Sequence, residues 1–375
     1  MTKPLYRRIV DDMLDEIQSG VLQAGARIPT EQELADRYGV SRITSARAVR
    51  ELGTLGMVRR IRGSGSFVTG ESEWDRNRAR PNLVSLILPF SAQDEAGYAL
   101  LRGLESQARA GRQLITIYNT EETPDKERRI LEDVLEHQPR GIIIYPDTCL
   151  TNLEICGQLV TEGIPVVIID REILGIDTRF VGSDNRAAMR LIVEYLISIG
   201  HRRIAYVANT RTTVLSEQAR FLGYCDGLLR TGLPLREDYI VLFDESTAAE
   251  PIVQSPREDV GLALARQSLT QFMSHPEPPT AIVGVNDNKA VHLMKAALHK
   301  GLRVPKDVSV TGFDDLPIAS HLEVPLTTMA QPFREIGVTA MRLLQEQITD
   351  PDASVRKVLL PTTLKVRSST APPAT

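Results

Sequence analysis

Val308-Ser309-Val310-Thr311-Gly312-Phe313-Asp314-Asp315 has the length and composition of one buried strand and stops on two carboxylates. Three other stretches end in the same way. Val166-Val167-Ile168-Ile169 runs into Asp170-Arg171, Phe180-Val181 is followed by Asp184-Asn185, and Ile282-Val283-Gly284-Val285 runs into Asn286-Asp287. Strand-length apolar runs begin near Leu83, Gln113, Gly141 and Pro165, and again near Arg203, Tyr239, Ala281 and Val308, with helix-length segments between them. This twofold β-α alternation predicts an α/β chain with two doubly wound parallel sheets, because right-handed crossovers cover both faces of each sheet. Ligands of such folds bind beyond the carboxyl ends of the strands, so a cleft between two lobes is the expected site. A carboxylate or amide at a strand mouth commonly caps the next helix. Four in register also suit adjacent hydroxyls: a carboxylate accepts two hydroxyl protons while an arginine donates to both oxygens.

The chain holds 375 residues, enough for two or three units at ~150 residues each. No apolar run approaches the ~18–20 residues of a membrane-spanning helix. The first twelve residues turn acidic before any apolar stretch forms, so export is not expected and a cytoplasmic location is. Cys149, Cys156 and Cys225 lack CxxC or Cys/His spacing and read as reduced thiols. The net charge of −4 hides an asymmetry. Residues 1–70 carry 11 Lys+Arg against 8 Asp+Glu, a balance of +3, and the remainder carries −7. Between Arg37 and Arg62 seven arginines face only Glu51.

That basic segment has helical order. Leu5, Ile9, Met13 and Ile17 make one apolar stripe on a helix ending near Ser19-Gly20. Thr30 and Glu33 form a capping box for a second helix, which Gly39-Val40 breaks, and Ser41 caps a third running to about Leu55. Ser45, Ala48, Val49 and Leu52 lie on one arc of the third helix; Arg42, Ile43, Ala46, Arg47 and Arg50 lie on the opposite one. Guanidinium groups so placed reach phosphates, or guanine edges in a major groove, and a solvated basic face is the plainer alternative. Val58-Arg59-Arg60-Ile61 and Ser66-Phe67-Val68-Thr69, joined through Arg62-Gly63-Ser64-Gly65, add a hairpin with a small basic tip.

Residues 4–69 resemble the winged helix-turn-helix head of the GntR repressors, through Ile28-Pro29-Thr30-Glu31-Gln32-Glu33-Leu34-Ala35, Tyr38-Gly39-Val40-Ser41-Arg42 and Gly63-Ser64-Gly65-Ser66-Phe67-Val68. The resemblance implies double-stranded DNA contacts from Ser41, Arg42, Thr44, Arg62 and Gly63, and the basic face adds Arg47 and Arg50. Ile43 and Ala46 depart from the usual Ser-Arg-Thr-Thr-Val-Arg run, and Ile43 suits a thymine methyl.

From about residue 83 to 370 the chain resembles the periplasmic-binding-protein-like sensor of the LacI/GalR repressors. The motifs are Gly182-Ser183-Asp184-Asn185, Gly200-His201-Arg202-Arg203-Ile204-Ala205-Tyr206-Val207, Arg220-Phe221-Leu222-Gly223-Tyr224, Val285-Asn286-Asp287, residues 304–315 and Pro325-Leu326-Thr327-Thr328-Met329-Ala330-Gln331-Pro332. It implies an effector, a sugar, gripped by Arg220 and Asp314, with Asn286, Asp184, Gln331 and Ser91 beside them. Tyr98, Tyr145, Phe180 and Phe243 are candidate aromatic walls, though packing is the commoner use of each. A GntR head on such a sensor resembles the arabinose-operon repressors, which implies a pentose. The expected organisation is a head over 1–70, a linker over 71–82 and a sensor over 83–375. Lobe 1 takes about 83–181 and 331–347; lobe 2 takes about 182–330 and 348–375. Residues 71–81 contain no leucine, so the leucine-bearing hinge helix of LacI-type chains is not expected.

Enzyme signatures are missing: there is no Gx4GK[ST], HExxH or GxSxG, and the six histidines are not spaced as metal ligands. No catalytic residue, metal or cofactor is expected. A head fused to an aminotransferase-like enzyme would need a Schiff-base lysine, and Lys289 and Lys295 have no such setting. A transport binding protein would need an export signal and no basic head. The expected molecule is a homodimeric repressor that leaves a palindromic operator when its effector binds; a purine effector, or ligand-enhanced DNA binding, is the alternative.

Overall fold

The computed structural model describes residues 5–61, 65–69, 82–89, 95–209, 214–243, 260–350 and 354–374. The wing-tip residues Arg62 and Gly63, the linker at 71–81 and Ser91 lie outside them. Three helices open the chain: α1 (Leu5–Gln18), α2 (Glu31–Tyr38) and α3 (Arg42–Thr54). Thr30 and Glu33 make the reciprocal capping box, and Gly39 ends α2 with φ at 63°, a left-handed conformation that costs glycine little. Strands β1 (Val58–Ile61) and β2 (Gly65–Val68) pair antiparallel, Val58 opposite Val68, and Arg27 bridges to Phe67 beside them. Ile9, Met13, Leu34, Ala48 and Leu52 form the small core under this hairpin.

Two six-stranded sheets follow. The first, in lobe 1, has β3 (Leu83–Leu88), β4 (Leu114–Asn119), β5 (Gly141–Ile144), β6 (Val166–Ile169) and β7 (Arg179–Ser183), joined through α4 (Glu95–Ala110), α5 (Pro124–His137) and α6 (Leu153–Thr161). Lobe 2 begins at α7 (Asn185–Ser198) and continues through β8 (Ile204–Asn209), α8 (Leu215–Arg230), β9 (Ile240–Phe243), α9 (Val260–Met273), β10 (Ala281–Gly284), α10 (Asp287–His299), β11 (Ser309–Asp314), α11 (Ile318–His321) and β12 (Thr327–Ala330). The chain then returns to lobe 1 as α12 (Phe333–Thr349), whose Ile336, Ala340 and Leu344 share a core with Leu100 and Leu104 of α4. Period-two alternation feeds both faces of each sheet: Val84, Leu86 and Leu88 face one core, and Ile87 faces the other.

The last crossing differs from the sequence expectation, which placed 348–375 in lobe 2. Strand β13 (Lys357–Leu360) pairs parallel with β7, Val358 opposite Val181, and extends the sheet of lobe 1. From β14 (Thr363–Lys365), antiparallel to β12, onward the chain belongs to lobe 2 as expected. The crossing therefore falls between Leu360 and Thr363. An edge strand is recruited by the open hydrogen-bonding groups of its neighbour, a non-local cue that the local pattern does not carry.

Candidate effector cleft and DNA interface

The carboxyl ends of the inner strands of both sheets converge. In lobe 2, Arg220 lies on the inner side of α8 with only 5% of its surface exposed. Its Nε donates to Asn185 Oδ1 at 2.8 Å, its Nη1 donates to Val285 O at 3.0 Å, and its Nη2 lies 3.5 Å from Asp314 Oδ1. The guanidinium sits 3.9 Å from the centre of the Phe313 ring. Gln331, just past β12, donates from Nε2 to Asp314 Oδ1 at 2.7 Å and accepts the Ser183 hydroxyl at 2.7 Å, so it ties two interlobe crossings to the site. Three of the expected effector residues, Arg220, Asp314 and Gln331, thus form one unit.

Lobe 1 supplies a facing group. Tyr145 follows β5 and donates its hydroxyl to Asp170 Oδ2 at 2.6 Å. Arg171 lies over the Tyr145 ring, and its Nη1 donates to Asp147 O at 2.8 Å. Asp147 is held in turn by buried Glu127, whose Oε2 accepts the Asp147 N–H at 2.8 Å and whose Oε1 accepts Asn152 Nδ2 at 2.8 Å. Asp170 is buried, and its Oδ1 has no hydrogen-bond partner among the described residues.

Charge couples the lobes. Burial pushes the Asp314 carboxyl up to about 6; Arg220 opposes the rise, and the charge of Asp170 across the cleft adds to it. Burial and the neighbouring Asp314 push Asp287 to about 7. Both folded-state values lie above the ordinary 3.8, so between pH ~4 and ~7 the folded chain holds more protons than the unfolded one. Stability from these two groups is full below pH ~4 and is lost as pH rises through ~6–7. Effector binding that uses the Asp314 carboxylate moves the other way. Its affinity is expected to fall as pH drops through about 6, which calorimetric titration between pH 5 and 8 checks; a flat profile removes Asp314 carboxylate from binding.

Other expected residues have helix-end roles. Asp184 Oδ1 accepts the Ala187 N–H at 3.0 Å and caps α7; Asn286 Oδ1 accepts the Lys289 N–H at 2.9 Å and caps α10. Neither is bonded to the Arg220 group. Of the aromatic candidates, Tyr145 is in the cleft group, Phe180 and Phe243 are core, and Tyr98 is exposed. His201 is fully buried between Thr280, Ser309 and Ala371, and burial lowers its pKa, so it is a neutral packing residue.

On the head, Ser45, Ala48, Val49 and Leu52 are buried as their arc requires. Ser41 caps α3: its Oγ accepts the Thr44 N–H at 3.3 Å and lies 2.9 Å from Thr44 Oγ1. Arg42 and Arg60 project with 71% and 64% of their side chains exposed, from α3 and the wing, and share Glu31 at 3.7 and 3.4 Å. Ile43 is 84% exposed between them and the rest of the basic face. Arg47 stacks on Tyr6 at 4.0 Å, and Arg50 is exposed further along α3. A solvent-facing isoleucine amid arginines suits a surface completed by DNA, where apolar contact reads thymine and guanidinium reads guanine.

Comparison with known proteins agrees with both halves. Residues 5–68 match the model for bacterial regulatory proteins of the gntR family, and residues 193–370 match that for the periplasmic binding protein-like domain. The arabinose metabolism transcriptional repressor of Geobacillus stearothermophilus is 29% identical over 375 residues, covering 98% of each chain. The protein is a GntR-headed transcriptional regulator with a periplasmic-binding-protein-like domain. Catabolite control protein A of Priestia megaterium is 29% identical over 271 residues, 72% of this chain and 76% of that protein. The crystal structure of transcription regulator CcpA of Lactococcus lactis superimposes with a TM-score of 0.66 at 24% identity, over 78% of the regulator and all of that chain, and shares its fold.

Several residues of the regulator's two surfaces lie outside those expected from the sequence. Asp170-Arg171 stood at a strand mouth, which was the available signal. Asn185, beside Asp184, carries the same strand-mouth signal; Phe313 and Glu31 carry none, because their partners, Arg220 on α8 and Arg60 on β1, lie far along the chain. Among the described residues no helix is long and apolar enough to cross a membrane, and no cluster of His, Cys, Asp or Glu could hold a metal.

Proposed function

We propose that the regulator is a cytoplasmic repressor whose homodimer sets two winged helices in successive major grooves of a near-palindromic operator, ~34 Å apart, and releases it when a neutral sugar enters the cleft. The effector contacts in this reading are Arg220, Asp314, Asn286 and Gln331, with Asp184 at the crossing and with Asp170 and Arg171 added from lobe 1. The observation that carries the reading is the way the cleft's charges are already matched. Arg220 is held by Asn185, Val285 O and Asp314, and Arg171 by Asp147 and Tyr145, so neither guanidinium is left to neutralise a phosphate. What the cleft offers instead is acceptors, Asp170 Oδ1 foremost, which suit the hydroxyl donors of a polyol. The arabinose regulator that aligns along the whole chain favours a pentose. The effector leaves unchanged, and the scheme needs no cofactor or metal. Moving the dimer from mostly DNA-competent to mostly released requires ~5 kcal/mol of differential effector affinity.

A thermal-shift screen tests this. L-Arabinose and other neutral pentoses and hexoses, their phosphates, and purines are compared on the full chain. A true effector at about 100 times its Kd stabilises the folded state by about 2.7 kcal/mol. Stabilisation by phosphates or purines alone overturns the neutral-sugar reading. On the DNA side, Arg42→Ala is expected to weaken operator binding roughly tenfold to a hundredfold, the ~1–3 kcal/mol of a good base contact, with effector binding unchanged. Fluorescence anisotropy against salt checks it, since lost phosphate contacts also flatten the salt dependence. Unaltered operator affinity removes Arg42 from the interface.

A further inference from the structure

The turn that presents Asp314 is strained. Asp314 and Asp315 have consecutive positive φ angles, 118° and 59°, which L side chains rarely adopt and which persist only where surrounding structure enforces them. Two contacts hold the turn. Asp287 Oδ2 accepts the Leu316 N–H at 2.7 Å, and Arg367 Nη2 donates to Asp315 Oδ1 at 2.6 Å. Arg367 is itself fixed: its Nη1 donates to Leu326 O at 2.9 Å, and its backbone N–H donates to Thr327 Oγ1 at 2.9 Å.

The segment carrying Arg367 is sewn into lobe 2 by neutral, mostly buried groups. Ser369 Oγ accepts the Thr327 N–H at 2.8 Å and donates to Val310 O at 2.6 Å; the Val310 N–H donates to Ser369 O at 2.9 Å. Thr370 meets Tyr195 at 2.8 Å, and Ala371 O lies 2.9 Å from His201 Nε2. Such a network has two consequences. It fixes the register of the strap without adding charge, and it leaves one cation, Arg367, directed at the turn next to Asp314.

We propose that residues 367–371 are a positioning element of the effector site, in which Arg367 acts through Asp315 to keep Asp314 within reach of Arg220 and Gln331. The proposal rests on Asp314 being an effector contact. Arg367 also offsets the Asp315 charge, which would otherwise add to the carboxylates of Asp287 and Asp314 in one small volume. An exposed ion pair would contribute little, but both side chains here are only 21% exposed and the arginine is anchored at two further atoms.

The experiment has two arms on the full chain. In the first, without ligand, hydrogen exchange by mass spectrometry follows the peptide spanning 312–320. Arg367→Gln and Asp315→Asn are each expected to speed exchange about tenfold, and the double variant no further than either alone. Unchanged exchange, or effects that add, overturns the clamp. In the second, calorimetric titration with L-arabinose and other neutral pentoses should show the same variants binding about tenfold more weakly, with operator affinity unchanged and Arg367→Lys partly restored. Faster exchange with unchanged sugar affinity overturns the link to the effector site. Failure of every neutral sugar to bind the unmodified chain overturns the neutral-sugar reading instead, and the exchange arm still decides the clamp. Asp315→Asn, which keeps the turn's side-chain size, carries the test if Arg367→Gln does not fold.

Discussion

Arg220→Ala is expected to yield a regulator that grips its operator and ignores its effector. Truncating one member of a buried, hydrogen-bonded charge pair costs ~2–5 kcal/mol, much of it for the charge left behind, so effector affinity should fall at least ~30-fold. The remaining group is Asp314. Without the opposing guanidinium its pKa climbs above about 6, so a larger share of the carboxylate acceptor is protonated near neutral pH. Asn185 Oδ1 and Val285 O lose their donor at the same time. The folded state should lose ~3 kcal/mol as well, and Arg220→Lys should recover part of that stability without the fork that reaches three partners. Calorimetric titration and an operator-release assay measure the effect. A normal effector response in the alanine variant would sink the assignment of this cleft.

Gly337→Val is expected to cost about 3 kcal/mol or more and to lower Tm by roughly 10 °C, with lobe 1 unfolding first. Helices α4 and α12 cross with their backbones in contact. A Cβ at Gly337 would collide with Leu100 O, and one at Gly103 would collide with Arg334 O, neither of which can rotate away. The contrasting control is Gly157, on α6, where an added Cβ meets nothing within 4 Å. Gly157→Ala should therefore stabilise by ~0.5–1 kcal/mol through helix propensity alone. Circular dichroism melts of the two variants decide the matter: equal Tm values would mean that the α4–α12 contact yields without cost.

Much of the architecture was legible because it is local. The eight strand starts expected from apolar runs lie within one residue of β3, β4, β5, β6, β8, β9, β10 and β11. The Thr30–Glu33 box and the Gly39 stop follow from hydrogen bonds spanning three or four residues, which a sequence displays directly. The buried arc of α3 follows from its 3.6-residue period. Where the reading fell short, the deciding contact was distant. Lys357–Leu360 look like any alternating edge strand, and nothing in them says which of two sheets has the open edge. Asp184 and Asn286 carry the same strand-mouth signature as Asp314, yet their side chains turn back to cap helices while the Asp314 carboxylate meets Arg220 and Gln331.

By itself the sequence determined the parts: a basic winged head, two α/β lobes, and the strand mouths where polar groups gather. Periodicity, caps and charge runs act over a few residues, so they survive in one dimension. Only the tertiary structure decided which groups share the cleft. It set Tyr145 and Asp170 opposite Asp314, placed Arg220 over Phe313, and drew Arg367 back to Asp315 from 52 positions along the chain. Burial and electrostatic coupling depend on distance in space, and the Val308–Asp315 strand acquires its role from neighbours that its own residues do not name.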